Sequence, residues 1–247
     1  MQLHKTKGMV FRTVKYGETS LIVTIYTELF GVQSYLVNGV RASTKKGPGK
    51  ANLFQPAAML DLIVYHNELK HLQRIREFKW GYLYRHIFFD VIKNAVALFM
   101  VELLQKCLRQ PEPNMDLFYF IEDAFIHLDE AEGPVLANFP LFFTLHLAGF
   151  FGFRIEDTYS ESRQVLDLQE GVFVDEYPSH LHFLEGGYAY ITSQLLRVRQ
   201  PVELSELLLN QDTRRHLLLA YRNFYALHVP DFGEMKTLGV LQTITSA

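Results

Sequence analysis

The chain has 247 residues, of which 49% are apolar and 21% are charged. These proportions are typical of a globular protein of one or two domains, and they exclude a disordered or collagen-like chain. The single cysteine, Cys107, excludes an intramolecular disulfide and a zinc site built from two cysteine pairs. The amino terminus lacks the apolar stretch of a signal peptide, and the longest apolar stretch, residues 139–153, is short for a membrane span. We therefore expect a soluble, cytoplasmic protein.

Charge is distributed unevenly along the chain. Residues 1–80 hold 12 Lys and Arg against 5 Asp and Glu, a balance of +7, whereas residues 81–247 hold 12 against 22, a balance of −10. A basic amino-terminal part favours a polyanionic partner for that part. The alternative is a small β domain whose basic surface has no partner.

The first 80 residues predict a β domain. Five segments are rich in β-branched and aromatic residues or alternate polar and apolar positions, with no helical pattern between them. They are residues 9–11, 20–27, 32–37, 59–65 and 69–75. Five short strands favour a small closed barrel, because closure leaves no unpaired sheet edge.

After Trp80 the apolar residues recur at helical spacing, first over residues 81–109 and then in several further segments. The further predicted helices are residues 118–128, 139–149, 193–199, 201–204, 213–228 and 238–244. Asp212 is a candidate cap for the helix at 213–228. Short strands are predicted at 164–168 and 171–174, within an irregular lobe over residues 153–189. The expected fold is therefore α+β, with a barrel over residues 1–80 and a mainly helical domain over 81–247.

Signatures of catalysis are absent from the sequence. It contains no dinucleotide fingerprint, no phosphate loop, no nucleophile elbow and no paired-histidine helix motif. His180 and His182 lie two residues apart near Asp175, a spacing that permits a metal site on a strand. A metal-dependent hydrolase built on these three residues remains an alternative, although a solvated polar loop is favoured. We predict a protein that is not an enzyme and that needs no metal or cofactor.

A basic loop is the clearest functional signal. Residues 39–50 carry four cations among small hydroxyl residues and glycines: Arg41, Lys45, Lys46 and Lys50. Cations on a flexible loop neutralise phosphates without reading base sequence. Arg12 and Lys15, on or just after the first strand, extend this predicted DNA-binding surface. Three tyrosines either stack on bases or fill the barrel: Tyr16, Tyr26 and Tyr35.

Several motifs in the first 80 residues, taken in order, resemble the bacterial RecO family of DNA repair and recombination mediators. The motifs are residues 8–12 (GMVFR), 16–20 (YGETS), Tyr26 and Thr27 followed by Gly31, 38–41 (NGVR), 53–56 (LFQP), and 69–70 (LK) followed by Glu77. The resemblance implies an OB-fold barrel, and it implies binding of single- and double-stranded DNA, annealing of complementary strands, and loading of the RecA recombinase on strands coated by single-strand-binding protein. The implied partners are RecR and the acidic carboxyl-terminal tail of single-strand-binding protein, and the implied location is the cytoplasm, with the nucleoid.

The chain departs from the family pattern in the irregular lobe. Many members carry two Cys-x-x-Cys pairs there, and the matching positions here are Tyr159 with Ser162 and Asp175 with Pro178, which bind no zinc. The resemblance therefore implies a member without the zinc-binding cysteines, whose lobe is held by packing. The residues expected to supply that packing are Val165, Leu166, Leu168, Val172 and Phe173.

Further arginines complete the predicted sites. Arg85, Arg214 and Arg215 join the predicted DNA-binding set on charge alone. An acidic tail with an apolar end needs a cation beside an apolar groove, and Arg197, Arg199 and Arg222 near leucine-rich helices are the candidates for it. The alternative function is a protein-interaction module whose basic loop binds acidic peptides.

Overall fold

The computed structural model describes residues 2–41 and 50–244. The chain divides into two compact units. Unit 1 comprises Met1–Arg85 and Leu108–Ile126, and unit 2 comprises His86–Cys107 and His127–Ala247. The segment Leu108–Ile126 thus groups with the amino-terminal part of the chain, although it lies beyond the boundary predicted near residue 80.

Unit 1 is built on a closed five-stranded barrel with the strand order β1-β2-β3-β5-β4. The strands are β1 (Gln2–Tyr16), β2 (Ser20–Thr27), β3 (Gly31–Val37), β4 (Met59–His66) and β5 (Leu72–Tyr82). Among these five described strands, only β3 and β5 pair in parallel, and a 3₁₀ helix at Lys50–Phe54 precedes β4. The predicted α+β fold with an amino-terminal barrel is confirmed. β1 is much longer than the predicted three residues because its first half pairs with β4 and its second half with β2.

Large side chains fill the barrel, and one segment from beyond it is attached to the β2–β3 turn. Tyr26 and Tyr35 are fully buried, and the hydroxyl of Tyr26 donates a hydrogen bond to the carbonyl oxygen of Asn114 at 3.1 Å. Gly31 has φ +61°, and a Cβ at this position would lie 2.4 Å from the carbonyl oxygen of Glu112. Only glycine therefore allows this close approach, which explains why Leu108–Ile126 belongs to unit 1.

Unit 2 is helical. Its helices are α1 (Val91–Cys107), α3 (Gly133–Ala148), α4 (Gly186–Arg197), α5 (Gln211–His228) and α6 (Lys236–Ile244), while α2 (Met115–Glu130) has residues in both units. Short 3₁₀ helices lie at Gly149–Phe151 and Pro201–Glu206. α1 begins at Val91 rather than at residue 81 because β5 continues to Tyr82. The cap of α5 is Asn210 instead of the predicted Asp212, since the side-chain oxygen of Asn210 accepts a hydrogen bond from the first turn.

The most apolar helix lies in the centre of unit 2. By length and composition alone, Gly133–Phe151 is sufficient to cross a bilayer, yet 56% of its most apolar window is buried inside the protein. Two of its polar groups also form hydrogen bonds within unit 2. The side-chain amide of Asn138 donates to the carbonyl oxygen of Leu207 at 2.7 Å, and the hydroxyl of Tyr225 donates to the carbonyl oxygen of Thr144 at 2.8 Å. This packing is typical of a core helix.

The irregular lobe contains a three-stranded sheet of order β7-β6-β8, formed by β6 (Val165–Asp167), β7 (Val172–Val174) and β8 (Phe183–Leu184). Four of the five residues expected to pack the lobe are buried, and Val172 is half-buried. Tyr159, at one of the positions where many family members have cysteine, places its ring edge against Phe173 with 5.5 Å between centroids. Aromatic packing therefore contributes to the cohesion of this lobe.

Candidate nucleic-acid interface

The outer face of the barrel carries a row of apolar side chains that ends in an arginine. The strand registers pair Val14 with Ile22, Ile22 with Leu36, and Leu36 with Arg74. Paired residues project from the same side of a sheet, so these four side chains form one row across β1, β2, β3 and β5. Val14 is 45% exposed, and the other apolar members of the row are half-buried.

A second row runs beside the first, but its arginine and its apolar residue lie at the opposite ends. It consists of Arg12, Thr24, Ser34 and Leu72, with arginine on β1 and leucine on β5. None of the eight residues in the two rows is acidic. We call these eight residues the barrel face. It combines exposed apolar surface with a guanidinium at each side, which suits bases and phosphates respectively.

The basic loop starts at the edge of the barrel face. The backbone N–H of Arg41 donates to the carbonyl oxygen of Thr19, and its guanidinium Nη1 donates to the carbonyl oxygen of Gly17, both at 3.0 Å. These two bonds hold Arg41 against the β1–β2 turn. The turn begins directly after Lys15 and Tyr16. Arg41, Lys15 and Tyr16 are therefore gathered at one end of the barrel.

The loop returns to the barrel at Lys50. Its ammonium lies 5.8 Å from the centroid of the Phe78 ring, which in turn packs against Phe54. Lys45 and Lys46 fall within residues 42–49, outside the described residues. Their contact with phosphate stays a prediction.

The three predicted stacking tyrosines differ in exposure. Tyr16 is 54% exposed and offers an aromatic surface to solvent, whereas Tyr26 and Tyr35 fill the barrel. Of the two alternatives left open for these residues, barrel filling holds for Tyr26 and Tyr35, because their rings cannot reach solvent in the folded barrel. Burial also raises the pKa of Tyr26 to about 12, so its hydroxyl remains neutral at physiological pH.

Sequence reasoning missed the apolar side of the barrel face. Val23 and Ile25 are fully buried on β2, so the alternation of a strand turns Ile22 and Thr24 outward. β3 repeats the pattern, with buried Tyr35 next to outward-facing Leu36. The available signal was that β2 has apolar residues at its outward-facing positions as well as at its inward-facing ones. Such a strand indicates an outer face that binds a partner.

The remaining predicted arginines occupy different surroundings. Arg85 is an exposed residue of unit 1, while Arg214 and Arg215 lie on α5 in unit 2 beside an apolar groove. The guanidinium of Arg214 donates to the carbonyl oxygen of Leu209, and burial lowers its pKa. Arg197 and Arg222, proposed for the acidic tail, instead form ion pairs with neighbouring carboxylates at 2.7 and 3.0 Å, and Arg199 is exposed.

The residues of the hydrolase alternative do not assemble. His180 Nε2 lies 3.3 Å from Asp167 Oδ1, and His180 Nδ1 accepts a hydrogen bond from the backbone N–H of His182. Asp175 has an exposed side chain and takes no part in this arrangement. Across residues 2–41 and 50–244, no group of three or more His, Cys, Asp or Glu side chains is placed to hold a metal ion. The described residues therefore give the metal-dependent interpretation no support.

Comparison with known proteins agrees with the two-part architecture. Residues 1–84 match the family model described as Recombination protein O N terminal, and residues 89–237 match the one described as Recombination protein O C terminal. A protein of Phocaeicola vulgatus named DNA repair protein RecO is 32% identical over 99% of this chain and 100% of its own length. Proteins of the same name from Christiangramia forsetii and Azobacteroides pseudotrichonymphae are 32% and 27% identical, each over at least 98% of both chains. Matched along nearly all of its length, the chain belongs to the recombination protein O family.

Proposed function

We propose that this protein binds DNA through its barrel and acts in the cytoplasm as a mediator of DNA repair and recombination. The observation that carries the proposal is the barrel face, whose eight outward residues include two arginines and no acid and which adjoins the basic loop. A cationic and partly apolar surface suits a strand whose phosphates and bases are both accessible. The names of the relatives support the same role in repair.

The proposed phosphate contacts are spread over the barrel and its loop. They comprise Arg12, Lys15, Arg41, Lys45, Lys46 and Lys50, with Arg85 as an extension. Such contacts are electrostatic and blind to base sequence, and no covalent step is part of the mechanism. Two DNA strands repel each other, and a cationic surface that binds both lowers this repulsion. Annealing of complementary strands is therefore part of the proposal, as is loading of RecA with RecR on strands coated by single-strand-binding protein.

The proposed site for the acidic tail of single-strand-binding protein is a groove in unit 2. It is lined by apolar residues of α1, α3 and α6, including Leu136 and Pro140, and by Arg214 and Arg215 of α5. A peptide with an apolar end and carboxylates requires this combination of an apolar wall and adjacent cations. We propose this groove as the tail site. Arg214 and Arg215 would then bind the carboxylates of the peptide, either in addition to DNA or instead of it.

A salt titration tests the DNA-binding proposal. Replacing Lys45, Lys46 and Lys50 together by glutamate should weaken DNA binding and reduce the slope of log affinity against log salt by about one unit for each lysine that neutralises a phosphate. The charge-matched control replaces Arg154, Arg163 and Arg199, which are exposed residues of unit 2, by glutamate. Unchanged affinity and slope in a folded triple-lysine variant would refute the assignment of the loop.

The alternative, a protein-interaction module, makes a different prediction in a competition assay. If the basic loop binds acidic peptides and not DNA, an oligonucleotide will fail to displace an acidic peptide from the protein. If the tail binds in the groove of unit 2, glutamate at Arg214 and Arg215 will release the peptide, while the triple-lysine variant will retain it.

A further inference from the structure

An open cleft of about 770 Å³ lies at the end of the barrel opposite the basic loop. β3 starts at this cleft, at Gly31, and ends at Val37, after which the chain enters the basic loop. The walls of the cleft are the β2–β3 turn, the β4–β5 turn and residues 109–113, all within unit 1. Ser34, a member of the barrel face, also lines the cleft, so the two surfaces are continuous.

The walls of the cleft are held in place by internal hydrogen bonds. In the β4–β5 turn, the buried side chain of Gln73 accepts from the backbone N–H of Asn67 and donates to the carbonyl oxygens of Asn67 and Lys70. In the β2–β3 turn, the side-chain amide of Gln33 donates to the carbonyl oxygen of Phe30 at 2.9 Å. The shape of the cleft is therefore present before any ligand binds, which lowers the entropic cost of binding.

The cleft combines flat rings with cations. The rings of Phe30 and His66 both line it, and they stack at 3.9 Å between centroids with an interplanar angle of 11°. Burial and the neighbouring His4 lower the pKa of His66, so its imidazole is neutral at physiological pH and behaves as an aromatic surface. Among the described residues, the lining of the cleft includes the charged side chains of Lys70, Arg109 and Glu68, and the ring of His71.

We propose that this cleft receives an unpaired nucleotide of single-stranded DNA that crosses the barrel face from the basic loop. The inference rests on the proposed function and adds the form of DNA that the barrel prefers. A volume of about 770 Å³ is within the range of pockets that enclose a small organic ligand. A base in a single strand can leave its neighbours and stack in the cleft, whereas a base in a duplex must first be unpaired, at a cost of a few kcal/mol.

The chemistry favours a nucleotide over an acidic peptide. Stacking on an aromatic pair is available to every base, and Lys70 with Arg109 can neutralise the adjoining phosphates. An acidic peptide with an apolar end needs an apolar wall beside cations, which the groove of unit 2 supplies. The cleft of unit 1 also has apolar residues, such as Leu29 and Val32, but it differs from that groove in its stacked rings and in the carboxylate of Glu68, which disfavours an acidic peptide. The cleft therefore distinguishes strands with unpaired bases from duplexes.

Two substitutions and one reporter test the inference. The affinity of the full chain is measured for a mixed-sequence single strand and for the duplex of the same length. Phe30→Leu and, separately, Lys70→Glu should each lower the affinity for the single strand by about tenfold and change the affinity for the duplex by less than about twofold. Arg163→Glu, an exposed residue of unit 2, is the charge-matched control for Lys70→Glu and should change neither affinity.

The reporter is a Phe30→Trp variant, with the unmodified chain and its single Trp80 as the background. Binding of the single strand should quench the added fluorescence, the duplex should not, and Lys70→Glu in the reporter should weaken the quenching. The reporter gives a local signal that does not depend on the outcome at the basic loop.

Failure of this inference is distinguishable from failure of the proposed function. If the triple-lysine variant loses DNA while Phe30→Leu and Lys70→Glu bind both forms normally and the reporter is silent, the cleft is not a DNA site and the basic loop still is. Equal losses for single strand and duplex would also overturn the cleft as a site for unpaired bases. Quenching by an acidic peptide with no response to DNA would assign the cleft to a protein partner, and absence of all DNA binding by the native chain would overturn both proposals.

Discussion

Replacing Gln73 by leucine should destabilise unit 1 by about 2–3 kcal/mol. The side chain of Gln73 is only 1% exposed, and its amide makes three hydrogen bonds of 2.6–3.0 Å within the β4–β5 turn. Leucine has a similar volume and fills the space, so the expected loss comes from the hydrogen bonds rather than from a cavity.

The magnitude follows from the surroundings of the three bonds. Each hydrogen bond makes a net contribution of about 0.5–1.5 kcal/mol to stability, and a buried polar group left without a partner costs about 1–3 kcal/mol. Lys70 is exposed, so water can replace the bond to its carbonyl oxygen, whereas Asn67 is half-buried and loses both a donor and an acceptor partner. The two bonds to Asn67 therefore account for most of the expected loss.

Urea and thermal unfolding, followed by circular dichroism, measure this loss. For a chain of 247 residues that unfolds in one transition, about 2–3 kcal/mol corresponds to a fall of roughly 5–10 °C in the thermal midpoint. Gln33→Leu is the matched control, because Gln33 is half-buried and its amide donates to Phe30 at the barrel surface, so its loss should stay below about 1 kcal/mol. A Gln73→Leu variant as stable as the native chain, or no more affected than the control, would show that the turn does not depend on this amide.

Three other predictions follow from single positions. Gly31→Ala should destabilise the barrel by about 3 kcal/mol in urea unfolding, since it places a Cβ 2.4 Å from the carbonyl oxygen of Glu112 at positive φ. Gly39→Ala is also at positive φ, but no atom of residues 2–41 and 50–244 lies within 4 Å of the added Cβ, so it should cost only about 1–2 kcal/mol; equal losses would contradict the proposed close approach. Burial lowers the pKa of His146, so the unfolded state binds more protons than the folded state at acid pH. The free energy of unfolding should therefore fall as the pH drops below about 6.5. Unfolding titrations between pH 8 and 5 would detect this dependence, and His146→Gln should reduce it. Asn210→Ala removes the cap of α5 and should cost about 1 kcal/mol, and an unchanged thermal midpoint would show that the cap is dispensable.

Much of the fold can be read locally. The β-branched and aromatic residues of positions 20–27 predict a strand, and the structure places β2 at Ser20–Thr27. The apolar composition of residues 139–149 predicts a buried helix, and α3 is the core helix of unit 2. These predictions succeed because strand propensity and apolar composition are properties of neighbouring residues, whatever the partner.

Local patterns could not decide the candidate site. Tyr16, Tyr26 and Tyr35 have the same chemistry in the sequence, and only the barrel determines that the first is exposed and the other two are buried. The two rows of the barrel face likewise depend on strand registers, which join Val14 on β1 to Arg74 on β5 across two intervening strands.

The sequence by itself determined the order of the barrel strands and of the helices, the basic amino-terminal part and the family. Only the tertiary structure decided that Leu108–Ile126 belongs to the barrel unit, through the close approach of Gly31 and Glu112, and that Phe30 and His66 meet in a cleft. The physical reason is distance along the chain. Periodicity reports the environment of a residue over a few neighbours, whereas a binding surface is made by closing the barrel, which brings together residues tens of positions apart.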